Sequence, residues 1–346
     1  MGVYLGVDFH TGAQNVCWCD TADGEIHERR LDHQRDDVRG FYAQFAVPAV
    51  IGVEASGYAR WFHQWIEELG HRLLVGDARR IRQFAQRRQK NNRRDAALLL
   101  DLLLHDDFPA VHLPPPASQE VLRLLRYRDR LVRVRTRLWN GLHAVALGHR
   151  LQLGFRLRSA PGRAQLQALP LSAADALQRE HSLALLAELQ TRIAAIESAL
   201  AARAQQDGRV ARLRTHPGVG LLTALAVVHT LEPVTRFDRA RRVAAYCGLD
   251  PVEHSSGDRL HFGHISKQGN RFLRFLLGEA AHGAVRPGGD DQLRRFYFHL
   301  LVKKNAPIAT VAVARKLLLR LYRMLREQID YDEFRRRGRD ARRARQ

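Results

Sequence analysis

Cysteine is scarce in this chain: among 346 residues only Cys17, Cys19 and Cys247 carry thiols, an odd number without a CxxC pair. That excludes a disulfide framework and a four-ligand zinc site, and it fits a reducing cytoplasm. Acids are outnumbered, 36 against 56 lysines and arginines, which leaves a formal charge of +20. A polyanion is therefore the first partner to expect, ahead of any small anionic metabolite. Long apolar runs are missing as well. No stretch reaches the roughly eighteen residues that a membrane helix needs, and Met1 runs into Val3–Val7 without a basic-then-apolar leader, so neither membrane insertion nor secretion is expected. The histidines form no HExxH or paired metal spacing, and His261 and His264 are at most auxiliary acid–base candidates. What is present is 45% hydrophobic residues, enough for packed cores in two or three domains.

The fold class that the pattern predicts is α/β plus all-α. Short β-like runs at Val3–Val7, Asn15–Cys19, Ile26–Leu31, Ala49–Val53 and Arg72–Val75 alternate with helical periodicity over the first hundred or so residues. Thr11-Gly12 and Asp23-Gly24 join the first three strands as consecutive antiparallel hairpins, the order of a ribonuclease-H-like domain. Pro109 and Pro114-Pro115-Pro116 then break the helical pattern and mark a boundary. We divide the chain into 1–112, an acid-bearing α/β domain; 113–207, a helical arm; 208–330, a mostly helical domain; and 331–346, a basic tail whose last twelve residues hold seven arginines and one acid. The arm reads as two long antiparallel helices with a weak interval around Gly154–Pro170. Leu183, Leu186, Leu189, Ile193, Ile196 and Leu200 form a near-heptad series suited to a coiled coil or dimer seam.

Two acids close apolar strands: Asp8 in Gly6-Val7-Asp8-Phe9 and Glu54 in Ile51-Gly52-Val53-Glu54. At a strand's mouth such a side chain can reach a shared cleft. Carboxylates brought together repel unless a cation lies between them, and hard oxygen donors select Mg²⁺ or Mn²⁺. Asp95 opens a later leucine-rich helix, and Asn92, three residues earlier, shares its face, whereas Asp101 points elsewhere. A lone strand-end acid often caps a following helix. Three in this order suggest a two-metal phosphodiester site instead.

Further on, Tyr246-Cys247-Gly248-Leu249-Asp250-Pro251 is followed by Ser255-Ser256-Gly257 and by Gly263-His264-Ile265-Ser266-Lys267-Gln268-Gly269-Asn270. With the strand-end acids and the Pro217-Gly218-Val219-Gly220 turn, this series resembles the DEDD-motif transposases of the insertion-sequence one-ten family and the related Piv-type DNA invertases. The resemblance spans nearly the whole chain. It implies a RuvC-like domain carrying four acids, a coiled coil, and a C-terminal transposase domain with a nucleophilic serine. By position Asp8, Glu54 and Asp95 match the first, second and fourth acids, and Ser256 matches the serine. Asn92 stands where the third acid belongs, able to offer a carbonyl oxygen to a hard cation but no charge. Asp77, after the fifth strand, is a possible substitute. The resemblance further implies a covalent phosphoserine intermediate and a structured bridge RNA that pairs with donor and target DNA. Read without it, Ser256 is an ordinary turn serine.

Arginine is placed where a phosphate backbone could run. Arg123–Arg137 holds seven arginines and one acid interleaved with leucines and valines, among them Arg123, Arg126, Arg130, Arg133 and Arg137. A second block, including Arg88, Lys90, Arg93 and Arg94, leads into Asp95, and Lys267, Arg271 and Arg274 lie near the serine. The Pro217–Gly220 turn reads either as a phosphate-binding helix-hairpin-helix or as a plain helix corner. The expectation is thus a cytoplasmic Mg²⁺-dependent recombinase, dimeric or tetrameric, acting on donor and target DNA with a guide RNA. Two rivals stay open: a ribonuclease-H-like endonuclease or junction resolvase using metal-activated water, and a decayed copy that binds nucleic acid without cutting it.

Overall fold

A computed structural model describes residues 2–57, 59–84, 92–152, 154–253 and 262–343, with two compact units, Met1–Leu113 and Pro114–Gln346. The first unit runs β1 (Val3–Phe9), β2 (Ala13–Asp20), β3 (Ile26–Asp32), α1 (Val38–Ala43), β4 (Val50–Glu54), α2 (Arg60–Glu68), β5 (Arg72–Gly76), α3 (Ala78–Phe84), α4 (Asn92–Leu104) and β6 (Ala110–Val111). Among the described residues these strands form one six-stranded sheet in the order β3-β2-β1-β4-β5-β6. β1, β2 and β3 are successive antiparallel neighbours, and β1, β4 and β5 are parallel. β6 pairs antiparallel with β5 through two residues only, too short to leave a periodic signal in the sequence.

Alternation along β1 divides the unit into two layers. Val3, Leu5, Val7 and Phe9 point into a core with Ile51, Val53, Phe62 and Ile66. Tyr4, on the other face, packs with Cys17, Cys19, Ala96 and Leu100, so the two strand cysteines are core residues and remain free thiols. Gly6 is the key to that second face. A β-carbon there would stand 2.3 Å from the Ala96 carbonyl oxygen and 2.4 Å from the Leu100 nitrogen. α4 can cross β1 at this height only because position 6 has no side chain.

The second unit runs α5 (Pro116–Gly148), α6 (Ala160–Ala168), α7 (Ala173–Gln205), α8 (Gly208–Arg214), α9 (Leu221–Leu231), α10 (Ala240–Tyr246), β7 (Pro251–Glu253), β8 (Phe262–Ile265), α11 (Arg271–Ala284), α12 (Asp291–Lys303), α13 (Ala306–Arg326) and α14 (Tyr331–Arg343). α5 and α7 are antiparallel, since Arg128 meets Glu197 while Arg135 meets Gln190. The interval read as weak contains α6: Ser159 caps it, Pro161 sits in its first turn where no amide is missed, and Gly162 fits under the Arg156 carbonyl. One apolar core joins Leu125 of α5 and Leu200 of α7 to Leu225, Leu277 and Leu317 of the later helices. The base of the arm is therefore built into the same core as the C-terminal helices.

The segment expected as a basic tail is helical through Arg343, and its first residue is not solvated. Tyr331 is buried, and its hydroxyl donates to the buried Asp290, which also takes Arg320. His216 packs against Tyr331 at a tilt, with ring centres 4.5 Å apart. Arginine content concealed this anchor, because the decisive residue is the aromatic that precedes the arginines.

Candidate active site and nucleic-acid interface

The parallel register pairs Gly6 with Gly52 and Val7 with Val53, so the next residues, Asp8 and Glu54, stand side by side on the face that carries α4. Gly52 is hemmed in like Gly6, here by Phe108 and Leu103. Asp95 lies in the first turn of α4, one residue before the Ala96 that rests on Gly6. Asp8 registers this company. Burial pushes its carboxyl above the usual carboxylate range, the His10 imidazole draws it back, and the charges of Asp95 and Glu54 push it up again. The structure thus brings three of the expected acids into one electrostatic neighbourhood.

Their immediate partners are His10 and Asn15, which motif reading passed over, and Arg82, which belongs to the basic block leading into Asp95. His10 Nε2 lies 3.0 Å from Asp8 Oδ2. Arg82, on α3, approaches Glu54 at 3.7 Å. Asn15 is paired with Asp8 across β1 and β2. The signal for Asn15 was its place in the hairpin register, which needs the turn length as well as the strand pattern. Asp77 accepts from the Arg79 and Arg80 amides, so it caps α3. Asp101 sits on its own with His105. Among the described residues no group of three or more His, Cys, Asp or Glu is gathered tightly enough to hold a metal ion. The donor set is nevertheless of the right kind for a hard divalent cation, three carboxylates with one destabilised by the other two. Asn92 begins α4, but its side chain and that of Arg93 lie outside the described residues, as do Arg88 and Lys90 entirely. Arg94 is exposed.

In the second unit the motif loops lock together through two glycines with positive φ. A β-carbon on Gly248 would stand 1.8 Å from the Gln268 carbonyl oxygen, and one on Gly269 would stand 2.2 Å from that of Tyr246. Arg274 staples them, its Nη1 donating to the carbonyls of Cys247 at 2.9 Å and Gln268 at 3.2 Å. Expected to hold phosphate, Arg274 here holds backbone. Lys267 and Arg271 are exposed. Ser256, Ser255 and His261 fall between β7 and β8, outside the described residues. The Pro217–Gly220 turn packs beneath α11, where a β-carbon on Gly218 would meet the Ala284 nitrogen at 2.3 Å, so Gly218 serves as a helix–helix contact.

α5 sorts its arginines by face. Arg126, Arg130, Arg133 and Arg137, spaced four, three and four residues apart, fall on one exposed stripe. Arg128 and Arg135 turn instead toward α7 and meet Glu197 and Gln190. Arg123, half-buried, lies at the edge of the stripe. The α7 apolar series also has its partner inside the chain: Leu186 packs with Leu142 and Ala146 of α5, and Leu200 with Leu125. Among the described residues no helix is long and apolar enough to cross a membrane.

Comparison with known proteins places this arrangement. The model of the family described as "Transposase IS116/IS110/IS902 family" matches residues 210–297. A second, DEDD_Tnp_IS110, described as "Transposase", matches residues 5–149. Over 339 residues the chain is 30% identical to a protein of Pseudomonas aeruginosa named "Probable family 20 transposase", covering 94% of this chain and 98% of that one. It is 29% identical over 338 residues to the transposase for insertion sequence element IS1111A of Coxiella burnetii, covering 94% and 90%. It is 27% identical over 281 residues to the transposase for IS1328 of Yersinia enterocolitica, covering 78% and 81%. The class is that of insertion-sequence transposases, enzymes that act on DNA in transposition and recombination. Within it the chain belongs to the IS116/IS110/IS902 family.

Proposed function

We propose that this chain cuts and rejoins donor and target DNA at the acid-bearing edge of its sheet, with Asp8, Glu54 and Asp95 holding Mg²⁺ or Mn²⁺ and Asn92 completing the set through its carbonyl. The observation that carries this reading is the side-by-side placement of Asp8 and Glu54 opposite Asp95. When bound, the cations supply charge stabilisation for the phosphate and its attacking and leaving oxygens. The chain's own part is to gather the carboxylates on rigid strands, with Gly6 and Gly52 allowing α4 to bring Asp95 close.

Ser256 is the proposed nucleophile, supported by its place after Gly248-Leu249-Asp250-Pro251 and before Gly257. Its Oγ forms an ester bond to phosphorus as one P–O bond of the strand breaks, and its proton ends on the released oxygen. Attack by a strand hydroxyl reverses both changes, so the cycle needs no outside energy source. A structured guide RNA reads the sequence in this proposal, and the exposed arginine stripe of α5 supports a sequence-blind polyanion contact. Strand exchange handles several DNA strands, which suits a dimer or tetramer.

The test is denaturing electrophoresis of the protein with labelled donor and target DNA, guide RNA and Mg²⁺. The proposal expects a covalent adduct that is lost in Ser256→Ala, and no adduct for Asp8→Asn. Cleavage that persists in Ser256→Ala without adduct would establish a metal-activated-water endonuclease. Absence of both cutting and adduct, restored by Asn92→Asp, would mark a metal-binding defect in this copy.

A further inference from the structure

The row that holds Asp8 does not stop at β1. Asp8 is paired with Asn15 on β2, and Asn15 with Arg30 on β3, so Arg30, Asn15, Asp8 and Glu54 stand in line across four neighbouring strands on the α4 face. With strands about 4.8 Å apart, the backbone of Arg30 lies roughly 10 Å from that of Asp8, within reach of a long side chain. Alternation sorts the charges of β3. His27 stacks on Trp18, Arg29 lies over Phe41 at 5.5 Å and Leu31 is buried on the opposite face, which leaves Glu28 and Arg30 on the side of the acids. Asn15, Cys17, Glu28, Arg30 and Ala96 line a groove running from beside Asp8 to the free edge of the sheet, which Val16 and Arg29 also border, Arg29 with its guanidinium turned over Phe41.

This groove has a use that depends on the reading of Asp8, Glu54 and Asp95 as the cutting site. We propose that it carries the DNA strand being cut, with Arg30 gripping the phosphate next to the reacting one. The acids, and Glu28 within the groove, repel a phosphodiester backbone, so a strand brought to them needs a cation fixed nearby. Arg30 supplies one. It is exposed, and no hydrogen bond commits its guanidinium among the described residues. Asn15 between them is uncharged, so the strand passes from Arg30 to Asp8 without a further like charge. A guanidinium fork also suits phosphate oxygens better than a point charge does.

Full-length Arg30→Gln and Arg29→Gln form the test pair, since they remove the same charge from adjacent residues on opposite faces of one strand. Thermal melting of each first establishes that the fold is kept. On labelled donor DNA, Arg30→Gln is expected to weaken binding about tenfold and to lower the salt slope by about 0.9. Arg29→Gln should change neither. Replacing the phosphate beside the cut with a neutral methylphosphonate should cost the unaltered protein the same tenfold and cost Arg30→Gln nothing more. Equal losses in both variants would reduce the effect to bulk charge and overturn the proposal. So would a sensitive phosphate remote from the cut, or a loss confined to guide-RNA binding. Asp8→Asn run in parallel keeps the two readings apart: if that variant still cuts while the Arg30 pattern holds, the acid site fails and the strand contact stands.

Discussion

Gly6 and Ala96 touch backbone to backbone, so closely that a single methyl group at position 6 would stand 2.3 Å from the Ala96 carbonyl oxygen. The three nearest obstacles at Gly6 are all main-chain atoms of α4, and none can rotate away. Gly6→Ala is therefore expected to lift α4 from β1, lower the stability of the first unit by about 1–3 kcal/mol, and reduce Mg²⁺-dependent cutting further than that loss explains. Thermal melting beside single-turnover cleavage checks it. Cutting that falls only in step with stability would show that the height of Asp95 above the sheet is unimportant.

Arg271 and Arg274 lie one helical turn apart on α11 and should part company when each becomes Gln. Arg274 holds the Cys247 and Gln268 carbonyls, so its loss should cost about 1–3 kcal/mol of stability and leave DNA affinity in the folded protein little changed. Arg271 is exposed, and its replacement should weaken DNA binding while melting stays within about 0.5 kcal/mol. The reverse pattern would return Arg274 to the phosphate-binding role that its sequence position suggests.

The stripe on α5 offers a test by face. Changing Arg126, Arg130, Arg133 and Arg137 together to Gln removes four exposed charges from one side of the helix. The salt slope for duplex binding should fall by about 3–4. Arg128→Gln with Arg135→Gln, which loses contacts to Glu197 and Gln190, should instead loosen α5 from α7 and leave that slope largely intact. Filter binding across a salt series separates the two.

Acid should unfold the second unit from its Asp290 cluster. Burial pushes the fully buried His216 imidazole down to about 4 from its ordinary 6.5, so the unfolded chain takes up that proton first and stability falls as pH drops from about 6.5 to 4. Asp290 is held below the usual carboxylate range: burial raises it, but Tyr331, the Leu293 amide and Arg320 together win. Its contribution is present above the unfolded value and disappears as pH falls through the lower folded one, adding a second loss at still lower pH. His216→Gln should flatten the first slope, and Tyr331→Phe should cost about 1–3 kcal/mol at neutral pH by removing a donor from a buried carboxylate. Melting temperature against pH is the measurement, and an unchanged slope in His216→Gln would remove that imidazole as the cause.

Much of the first unit was legible in advance because its signals are local. Five strands, their hairpin turns and the strand-end positions of Asp8 and Glu54 follow from alternation and from glycine-bearing turns. Asn15 and Arg30 were not legible, since membership of their row depends on the register of two hairpins, where one residue of slip reverses every face. Arg274 was only half legible for a different reason: a charge count cannot tell a guanidinium bound to carbonyls from one facing solvent. In α5 the density of arginine was plain, but its division between solvent and α7 became visible only when the antiparallel partner was in place. α6 was hidden behind Pro161 and Gly162, residues that break helices in their middles and are tolerated in their first turns.

Leu186 and Leu200 are already engaged by α5 of their own chain, and Ile193 between them is buried. Two copies could associate through that stripe only by opening the arm and trading long helices, each α5 closing on its neighbour's α7. Such swapping depends on concentration and requires each arm to open first. Joining through surfaces that the monomer leaves uncovered would need no such opening.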